Sequence, residues 1–382
     1  MSGSVRLGII GLGVIGNHHA TYLRAGDVKR CELTAVCDID PNRIEKFSDL
    51  KKFTSSEEMI RSGEVDAVLI STPHYAHTTI GIDALEQGLH VLVEKPISVH
   101  KADCERLLAA HKDPKQVFAV MFNLRTIGWW KKLKQLIDTG ELGEIVRINW
   151  TCTDWFRSEA YYASGGWRGT WAGEGGGVLM NQSPHYLDLW QYFFGMPEKI
   201  RAFCGFGVRH NVEIEDEVTA YMEYSNKATG VLITSTGEFP GTNRLEVAGE
   251  QGKVIIEGGK FSFTRNEVQT TQFSKTCPTG FVFPPVWNID IPVKSGGQHM
   301  EITQNFVNAI LDGTPLLSPA EEGIKSVELA NAMIYSTLTD STVHLPLDSQ
   351  AFEKELQRLI AESRFVKQSE KGEVVDAKAS FH

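Results

Sequence analysis

Residues 5–16 read Val-Arg-Leu-Gly-Ile-Ile-Gly-Leu-Gly-Val-Ile-Gly, and this stretch decides the fold of the first part of the chain. Val5–Ile10 is a short apolar run of the kind that forms a buried strand. The three glycines after it have the spacing G-x-G-x-x-G, and a helical pattern follows. In such a turn the first glycine permits a tight bend, the second lets backbone amides approach a pyrophosphate, and the third allows close packing of helix on strand. We therefore predict a dinucleotide-binding turn made of Gly11, Gly13, Val14, Ile15 and Gly16.

Four more apolar runs follow, at residues 32–37, 65–71, 90–93 and 117–121, with helical sequence between them. The runs are continuous rather than alternating, which is typical of parallel strands buried on both faces. We predict that residues 1–122 form an α/β domain with a doubly wound parallel sheet, a Rossmann domain.

The pattern changes after residue 122. Strands with alternating apolar and polar residues predominate, which indicates an antiparallel sheet with one face packed and one face open. The predicted strands are 145–156, 199–206, 217–224, 230–236, 244–247, 253–257 and 261–265, arranged as a meander, and the predicted helices are 129–139, 181–194, 300–311 and 319–335. We predict that residues 123–382 form an α+β domain with a large, open, mostly antiparallel sheet, with a peripheral tail at about 366–382. The two domains should meet in a cleft.

Asp38 ends the second predicted strand, where a carboxylate can accept hydrogen bonds from the ribose hydroxyls of an adenine dinucleotide. It would repel a 2′-phosphate, and the next three residues contain no arginine. NAD is therefore favoured over NADP. From the glycine segment alone, FAD, S-adenosylmethionine and a turn that binds no ligand remain open.

The composition limits the partners of the protein. The formal net charge is −10, which argues against a general nucleic-acid or anionic membrane surface. No apolar run approaches the length of a membrane span, and the first residues enter a strand too early for a signal peptide. The six cysteines contain no Cys-x-x-Cys pair, as expected of reduced thiols. We expect a cytoplasmic protein.

Several short motifs occur in a defined order along the chain. They are Thr72-Pro73 with His77, Glu94-Lys95-Pro96, Gly175-Gly176-Gly177 followed by Asn181, His185 and Asp188, and Glu215-Asp216 with residues 297–310. Together they resemble the glucose–fructose oxidoreductase / inositol dehydrogenase / MocA (Gfo/Idh/MocA) family over almost the whole chain. The resemblance implies an enzyme that binds NAD(P) and oxidises or reduces a secondary hydroxyl or carbonyl of a sugar, cyclitol or related ligand.

Hydride transfer from a carbinol needs a base for the hydroxyl proton and a cation near the developing oxyanion. Lys95 can supply the cation or exchange the proton, and His185 should titrate near neutral pH and act as a base. Taken singly, each is explained more simply as a solvated strand-end lysine or a core histidine. The resemblance maps the family's catalytic lysine to Lys95 and its catalytic histidine to His185.

Asn181 departs from the family pattern, because many members carry an aspartate at that position. On one continuous helix, positions 181 and 185 would share a face. Asparagine can orient a partner but carries no charge, so we expect Asn181 to position substrate or His185 rather than relay a proton. The Asn-Gln-x-x-His form resembles the branch that oxidises the 3-hydroxyl of pyranosides, including nucleotide-sugar uronates. Asp188 could orient the ring or make a structural bond.

Aromatic residues and arginines crowd the segment before the triple glycine, where rings could stack on sugars and guanidinium groups could hold a carboxylate or phosphate. Ordinary core packing is the alternative for each of them. The candidate substrate residues are Asn123, Arg125, Tyr161, Trp167, Arg168, Asn181, His185 and His299. The candidate cofactor residues beyond the glycine turn are Asp38, Arg43, Thr72, Pro73, His77, Glu94 and Lys95. No metal site is expected, since His18-His19 and His74/His77 lack a completing ligand at a usual spacing.

These patterns predict an NAD-dependent dehydrogenase that oxidises a secondary hydroxyl, at C3 in the narrowest reading, of a sugar, glycoside, cyclitol or sugar uronate. Two alternatives remain open. One is an NAD-dependent glycosidase that oxidises C3 transiently and then eliminates, and the other is a non-catalytic sugar sensor. The open sheet, together with the resemblance, predicts a homodimer or homotetramer.

Overall fold

The computed structural model describes residues 3–367, which contain two β-sheets flanked by helices. The first sheet has six parallel strands in the order β3-β2-β1-β4-β5-β6. Its strands are β1 (Val5–Ile10), β2 (Cys31–Cys37), β3 (Lys51–Phe53), β4 (Ala67–Ile70), β5 (His90–Val93) and β6 (Phe118–Val120). Its helices are α1 (Val14–Arg24), α2 (Pro41–Ile44), α3 (Ser56–Arg61), α4 (His74–Glu86) and α5 (Lys101–Ala110). The predicted doubly wound Rossmann sheet is confirmed.

The sequence prediction missed β3, a short strand at the edge of the sheet. Its two lysines are exposed, so it lacks the apolar run that marks the buried strands. The strand order reverses between β1 and β4, and ligands of doubly wound sheets bind at the carboxyl ends of the strands at such a point.

The second sheet has nine strands in the order β14-β13-β12-β11-β7-β10-β9-β8-β15. They are β7 (Ile145–Cys152), β8 (Lys199–Phe206), β9 (Glu215–Glu223), β10 (Thr229–Ser235), β11 (Asn243–Gly249), β12 (Gly252–Glu257), β13 (Lys260–Asn266), β14 (Val286–Asp290) and β15 (Val343–His344). The helices of this part are α6 (Gly128–Asp138), α7 (Glu159–Ala163), α8 (Trp171–Glu174), α9 (Val178–Asn181), α10 (Pro184–Phe194), α11 (Thr270–Thr276), α12 (Gln298–Asp312), α13 (Ala320–Leu338) and α14 (Ser349–Glu362). The predicted large, mostly antiparallel sheet is confirmed.

The strand order is not the simple meander that we predicted. β7 lies between β10 and β11 and pairs in parallel with β10. Alternating residues show which face of a strand is buried, but they carry no information about which strand lies beside it. The parallel pair therefore could not be predicted from the sequence.

One face of the nine-stranded sheet packs against α10 and α13. Trp150 of β7 and Trp190 of α10 are fully buried there, with ring centroids 6.4 Å apart. The opposite face exposes apolar side chains, including Phe203 and Tyr221. This is the packed and open arrangement that the alternation predicted.

Helix α12 comes from the second half of the chain but packs on the first sheet. Its Ile302, Phe306 and Val307 share a buried cluster with residues of β1 and β2. Arg30 and Asp312 add an ion pair at the surface of this contact. The predicted boundary at residue 122 separates the two sheets. It assigns α12 to the second domain, although α12 packs against the first sheet.

The predicted helix 181–194 is two helices. α9 ends at Asn181 and α10 begins at Pro184, because proline lacks an amide hydrogen and restricts the residue before it. The prediction that Asn181 and His185 share one helical face is therefore wrong.

Most of the predicted tail, residues 368–382, lies outside the described residues. Among residues 3–367, no helix combines the length and the apolar character needed to cross a bilayer.

Candidate active site

The glycine turn joins β1 to α1 with one side left open. Gly11 has φ +95°, and a Cβ there would lie 2.7 Å from the Ser71 backbone. A Cβ at Gly16 would lie 1.9 Å from the Gly11 carbonyl oxygen, so both positions require glycine for packing. A Cβ at Gly13 would meet nothing within 4 Å. Gly13 is the N-cap residue that precedes α1, and no side chain caps this helix end. The turn therefore presents open space and uncapped amides, which fits a pyrophosphate.

The carboxylate of Asp38 is fixed beside this turn. Its Oδ2 accepts a hydrogen bond from the Leu12 amide at 2.7 Å, and its Oδ1 accepts one from the Asp40 amide at 2.9 Å. Arg43, which is half exposed, lies 3.4 Å from Asp38 and 3.6 Å from Asp40. The carboxylate keeps lone pairs for a ribose diol, whereas Arg43 is paired with both acids.

The loop after β4 supplies a second uncapped helix N-terminus. α4 begins after Pro73 without a side-chain cap, and the buried Oγ1 of Thr72 has no hydrogen-bond partner within the described residues. The His77 ring lies between two carbonyl oxygens, with Nδ1 2.8 Å from that of Pro96 and Nε2 2.9 Å from that of Thr72. His77 thus ties the loop after β4 to the loop after β5. These contacts give His77 a role inside the protein, and its contact with the cofactor stays a prediction.

Lys95 follows β5 at the carboxyl edge of the first sheet. Its Nζ donates a hydrogen bond to the Asn181 carbonyl oxygen of the second domain at 2.7 Å. Burial, together with the charges of Arg168 and Arg157, lowers the pKa of Lys95 to about 8, although Glu94 and Glu174 act in the opposite direction. An amine with this pKa can both accept and donate a proton near neutral pH.

Both carboxylate oxygens of Glu94 have hydrogen-bond partners within the protein. Its Oε1 is 2.7 Å from Nε2 of His19 on α1, and its Oε2 accepts a hydrogen bond from the Lys95 amide at 3.1 Å. Burial opposes ionisation, but the bond to His19 and the charge on its ring lower the pKa of Glu94 to about 2. A carboxylate held this way fixes the backbone of Lys95, and its contact with the cofactor stays a prediction.

His185 lies in the first turn of α10 and is buried. Its ring stacks on Trp155, with centroids 6.5 Å apart, and its Nδ1 has no hydrogen-bond partner in residues 3–367. Burial, together with the charge of Lys95, holds the pKa of His185 well below its usual range. The ring is therefore neutral at pH 7, and the expectation that it titrates near neutral pH is wrong.

The side chain of Asn181 faces Glu174 rather than His185. Its Nδ2 donates to Oε1 of Glu174, whose Oε2 accepts from the Gly169 amide at 2.8 Å. Burial raises the pKa of Glu174, although the Arg168 charge and the Asn181 bond act in the opposite direction. We expected Asn181 to position substrate or His185, whereas its side chain contacts the carboxyl group of Glu174.

Arg125 and Asp188 form a buried pair away from the open cleft. Arg125 donates to Asp188 at 2.5 and 2.8 Å and to the Leu317 carbonyl at 2.9 Å, and Glu322 lies 2.5 Å from its Nη1. These bonds join the turn after β6 to α10 and α13. The structure thus gives Arg125 a structural role in place of the predicted substrate contact. It also pairs Asp188 with Arg125, so Asp188 does not orient His185.

Two family models match this chain. Residues 5–122 match the oxidoreductase family with an NAD-binding Rossmann fold, and residues 130–255 match the GFO/IDH/MocA C-terminal domain. The chain belongs to the Gfo/Idh/MocA oxidoreductase family. The predicted resemblance, the oxidoreductase class and the NAD-binding domain are confirmed.

Several relatives in the family carry names. The myo-inositol 2-dehydrogenase of Thermotoga maritima is 27% identical over 263 residues, which cover 66% of this chain and 75% of that one. The WlbA dehydrogenase of Chromobacterium violaceum, solved with NADH and UDP-GlcNAcA, is 27% identical with a TM-score of 0.78, covering 90% of this chain and 97% of that chain. The WlbA dehydrogenase of Bordetella pertussis, in the same kind of complex, is 25% identical with a TM-score of 0.76, covering 90% and 100%.

The residues of this family member fit NAD. The open amides at Gly13 and the unpartnered Thr72 hydroxyl suit the phosphates, and Asp38 suits the adenine ribose. Lys95 and His185 lie farther along the same cleft.

Two other predicted substrate residues lie near the first turn of α12. Asn123 is buried, with Nδ2 3.4 Å from Oε1 of Gln298 and an Oδ1 that lacks a partner in the described part of the chain. His299 has its ring centroid 5.1 Å from that of His18, and burial lowers its pKa to about 3. A contact of either residue with substrate stays a prediction.

Sequence reasoning missed Ser71 and Glu174 and gave the motif residue Glu215 no role, although all three shape this site. Ser71 donates to the Gly11 carbonyl at 2.7 Å, and Glu215 accepts hydrogen bonds from the Gly177 and Leu179 amides at 2.7 and 3.1 Å. Burial raises the pKa of Glu215 to about 8. Glu174 directly precedes the triple glycine, and this position in the sequence could have identified it as a site residue. No group of metal-binding side chains occurs among residues 3–367.

Proposed function

We propose that this oxidoreductase removes hydride from a secondary hydroxyl of a sugar, glycoside, cyclitol or sugar uronate. The observation that carries the proposal is the bond from Lys95 Nζ to the Asn181 carbonyl oxygen, which holds a lysine of lowered pKa where the two domains meet. When bound, NAD supplies the hydride acceptor. The hydroxyl proton needs a separate acceptor, and Lys95 is the group in the cleft whose pKa suits that role.

The two candidate catalytic residues have different tasks. Neutral Lys95 accepts the hydroxyl proton during oxidation, and protonated Lys95 returns it during reduction. His185 is neutral, so its ring can hold the hydroxyl by a hydrogen bond without placing a second positive charge beside Lys95. Asn181 and Glu174 position Lys95, because the Asn181 carbonyl accepts its hydrogen bond and Glu174 fixes the Asn181 side chain.

The finer part of the proposal is the position of oxidation. We place it at C3, on the basis of the Asn181-Gln182-x-x-His185 pattern and of the WlbA relatives solved with UDP-GlcNAcA. A substrate deuterated at C3 should show a primary isotope effect on NADH formation, and deuterium at C2 or C4 should not. An isotope effect at another carbon would move the assignment to that carbon.

The test of the reaction is a panel of free sugars, glycosides, cyclitols and nucleotide-sugar uronates, followed by NADH absorbance. Lys95→Met should abolish turnover and leave the Kd for NAD within a few-fold, and Lys115→Met, which removes an exposed lysine of the same domain, should change neither. Turnover by Lys95→Met near the wild-type rate would refute the role of Lys95. Glycoside cleavage without net NADH would show the redox-assisted glycosidase instead.

We also propose that a second copy of the chain covers the open face of the nine-stranded sheet. Phe203 is 62% exposed and Tyr221 is 41% exposed on this face. Large apolar side chains at that exposure are typical of protein–protein contacts. Phe203→Glu should reduce the mass measured by light scattering, whereas Phe281→Glu, at an exposed position outside this face, should not.

A further inference from the structure

Two arginines and three aromatic rings form one side of the cleft. We call this group the arginine wall; its members are Trp155, Arg157, Tyr161, Trp167 and Arg168. Both guanidinium groups lie over the Tyr161 ring, with Cζ 5.0 Å from its centroid for Arg157 and 4.3 Å for Arg168. Each also lies over a tryptophan, Arg157 over Trp155 at 5.4 Å and Arg168 over Trp167 at 4.4 Å.

The wall has more hydrogen-bond donors than acceptors. In residues 3–367, neither guanidinium forms an ion pair with a carboxylate; Arg157 donates to the Phe156 carbonyl at 2.9 Å and Arg168 to the Tyr161 hydroxyl at 2.5 Å. The Nε of Arg157 is buried and has no acceptor. A guanidinium offers five N–H groups, and a buried donor without a partner is unfavourable. At least one N–H donor of the arginine wall therefore lacks a hydrogen-bond acceptor.

The wall adjoins the proposed reaction centre. Trp155 stacks on His185, and the Arg157 and Arg168 charges both act on Lys95. Glu174 also acts on Lys95 and Arg168, but it is buried and already bonded to Asn181 and the Gly169 amide. Lys95 and the two arginines thus lie close enough for their charges to interact, and neither arginine has a carboxylate partner within residues 3–367, in a chain whose net charge is −10.

Hydrogen bonds fix the backbone of Arg157 and of Arg168. The Arg157 amide donates to the Thr236 carbonyl at 2.8 Å, and the Arg157 carbonyl lies 2.8 Å from Nε2 of His210. Nδ1 of His210 is 3.1 Å from Asp216. On the other side, Lys367 Nζ donates to the Arg168 carbonyl at 2.7 Å. Fixed backbones reduce the entropy lost when these side chains bind a ligand.

We propose that the arginine wall binds a carboxylate or phosphate group of the substrate, so that the enzyme acts on anionic sugars in preference to neutral ones. A carboxylate or phosphate can accept paired hydrogen bonds from a guanidinium. It would supply the acceptor that Arg157 Nε lacks and offset the three positive charges. The inference narrows the substrate class of the proposed function, on which it rests for the reaction itself.

The test is binding to the full-length protein saturated with NAD, measured by the tryptophan fluorescence of the wall. The probes are matched pairs of one anionic and one neutral sugar: glucuronate with glucose, and glucose 6-phosphate with glucose. The anionic member of at least one pair should bind at least tenfold more tightly, and the pair that responds separates carboxylate from phosphate recognition. The tighter binding of the anionic probe should weaken as salt is added, because salt screens the attraction between the probe and the arginines.

Arg157→Gln and Arg168→Gln should each weaken binding of the anionic probe by about tenfold to a hundredfold, with little effect on its neutral partner. Arg358→Gln removes an exposed arginine of α14 and should change the affinity for neither probe. Equal binding of anionic and neutral probes, or equal losses for both in the Arg157 variant, would overturn the inference. If the wild type binds the anionic probe through Arg157 but forms no NADH with any substrate, the wall is supported and the proposed reaction fails. If the enzyme forms NADH with neutral sugars alone, the proposed reaction is supported and the role of the arginine wall is refuted.

Discussion

Removing Lys95 should change how the stability of the protein depends on pH. The half-buried Lys95 amine has a pKa of about 8, against an ordinary value of 10.5. Between these values the unfolded chain binds one proton that the folded chain has released, so the unfolding free energy of the wild type rises with pH. Below about pH 8 the folded protein carries the full unfavourable contribution of a desolvated charge. Lys95→Met removes this contribution at every pH.

The size of the effect follows from the two pKa values. Between about pH 6.5 and about pH 9.5 they predict a change of about 2 kcal/mol in the difference between wild type and Lys95→Met. Because the side chain is partly exposed, solvent screening reduces this to about 1 to 2 kcal/mol. Loss of the hydrogen bond to the Asn181 carbonyl adds an offset that is the same at both pH values.

Urea denaturation of both proteins at the two pH values measures this difference. Lys115→Met serves as the control for loss of a lysine elsewhere in the first domain. The wild type should gain stability relative to Lys95→Met as the pH rises. A difference that stays constant with pH would refute a lowered pKa for Lys95, and a difference of the opposite sign would show that the folded protein holds the proton more tightly.

Three more substitutions test other parts of the site. Asp38→Ala should raise the Kd for NAD and reduce discrimination against NADP, because the charge that repels a 2′-phosphate is gone; an unchanged ratio of the two Kd values would count against Asp38. Asn181→Asp places a second carboxylate against Glu174, so the melting temperature should fall more steeply than that of the wild type as the pH rises, and parallel curves would show that the two groups do not interact. Arg125→Met leaves Asp188 unpaired in the core and should lower the unfolding free energy by about 3 to 5 kcal/mol with little effect on the Kd for NAD. A loss below about 1 kcal/mol would contradict the buried pair.

The first sheet could be predicted because its signals are local. Continuous apolar runs mark strands that are buried on both faces, and the glycine turn fixes where β1 ends. β3 was missed for the same reason, since an edge strand with exposed lysines has no such run. The alternating strands of the second sheet were equally visible, but the insertion of β7 beside β10 depends on contacts between distant segments.

The candidate site was predicted less completely than the fold. Lys95 and His185 lie on the two domains, and the charge of Lys95 acts on the His185 ring, whereas their joint catalytic role stays a prediction. The pairing of Arg125 with Asp188 and of Asn181 with Glu174 joins segments that no periodicity relates. A single Pro184 splits the helix that would have aligned Asn181 with His185. Sequence patterns identify the residue types of a site, whereas their partners are set by tertiary packing.

The central claim is that Lys95 accepts the hydroxyl proton while hydride leaves the substrate carbon. The pH dependence of kcat/KM for NADH formation, measured with the best substrate of the panel, tests it most directly. The account predicts that kcat/KM rises with pH to a plateau, with an apparent pKa near 8, and that Lys95→Met loses both the activity and this dependence. A profile that is flat through this range, or the same profile retained by Lys95→Met, would contradict it.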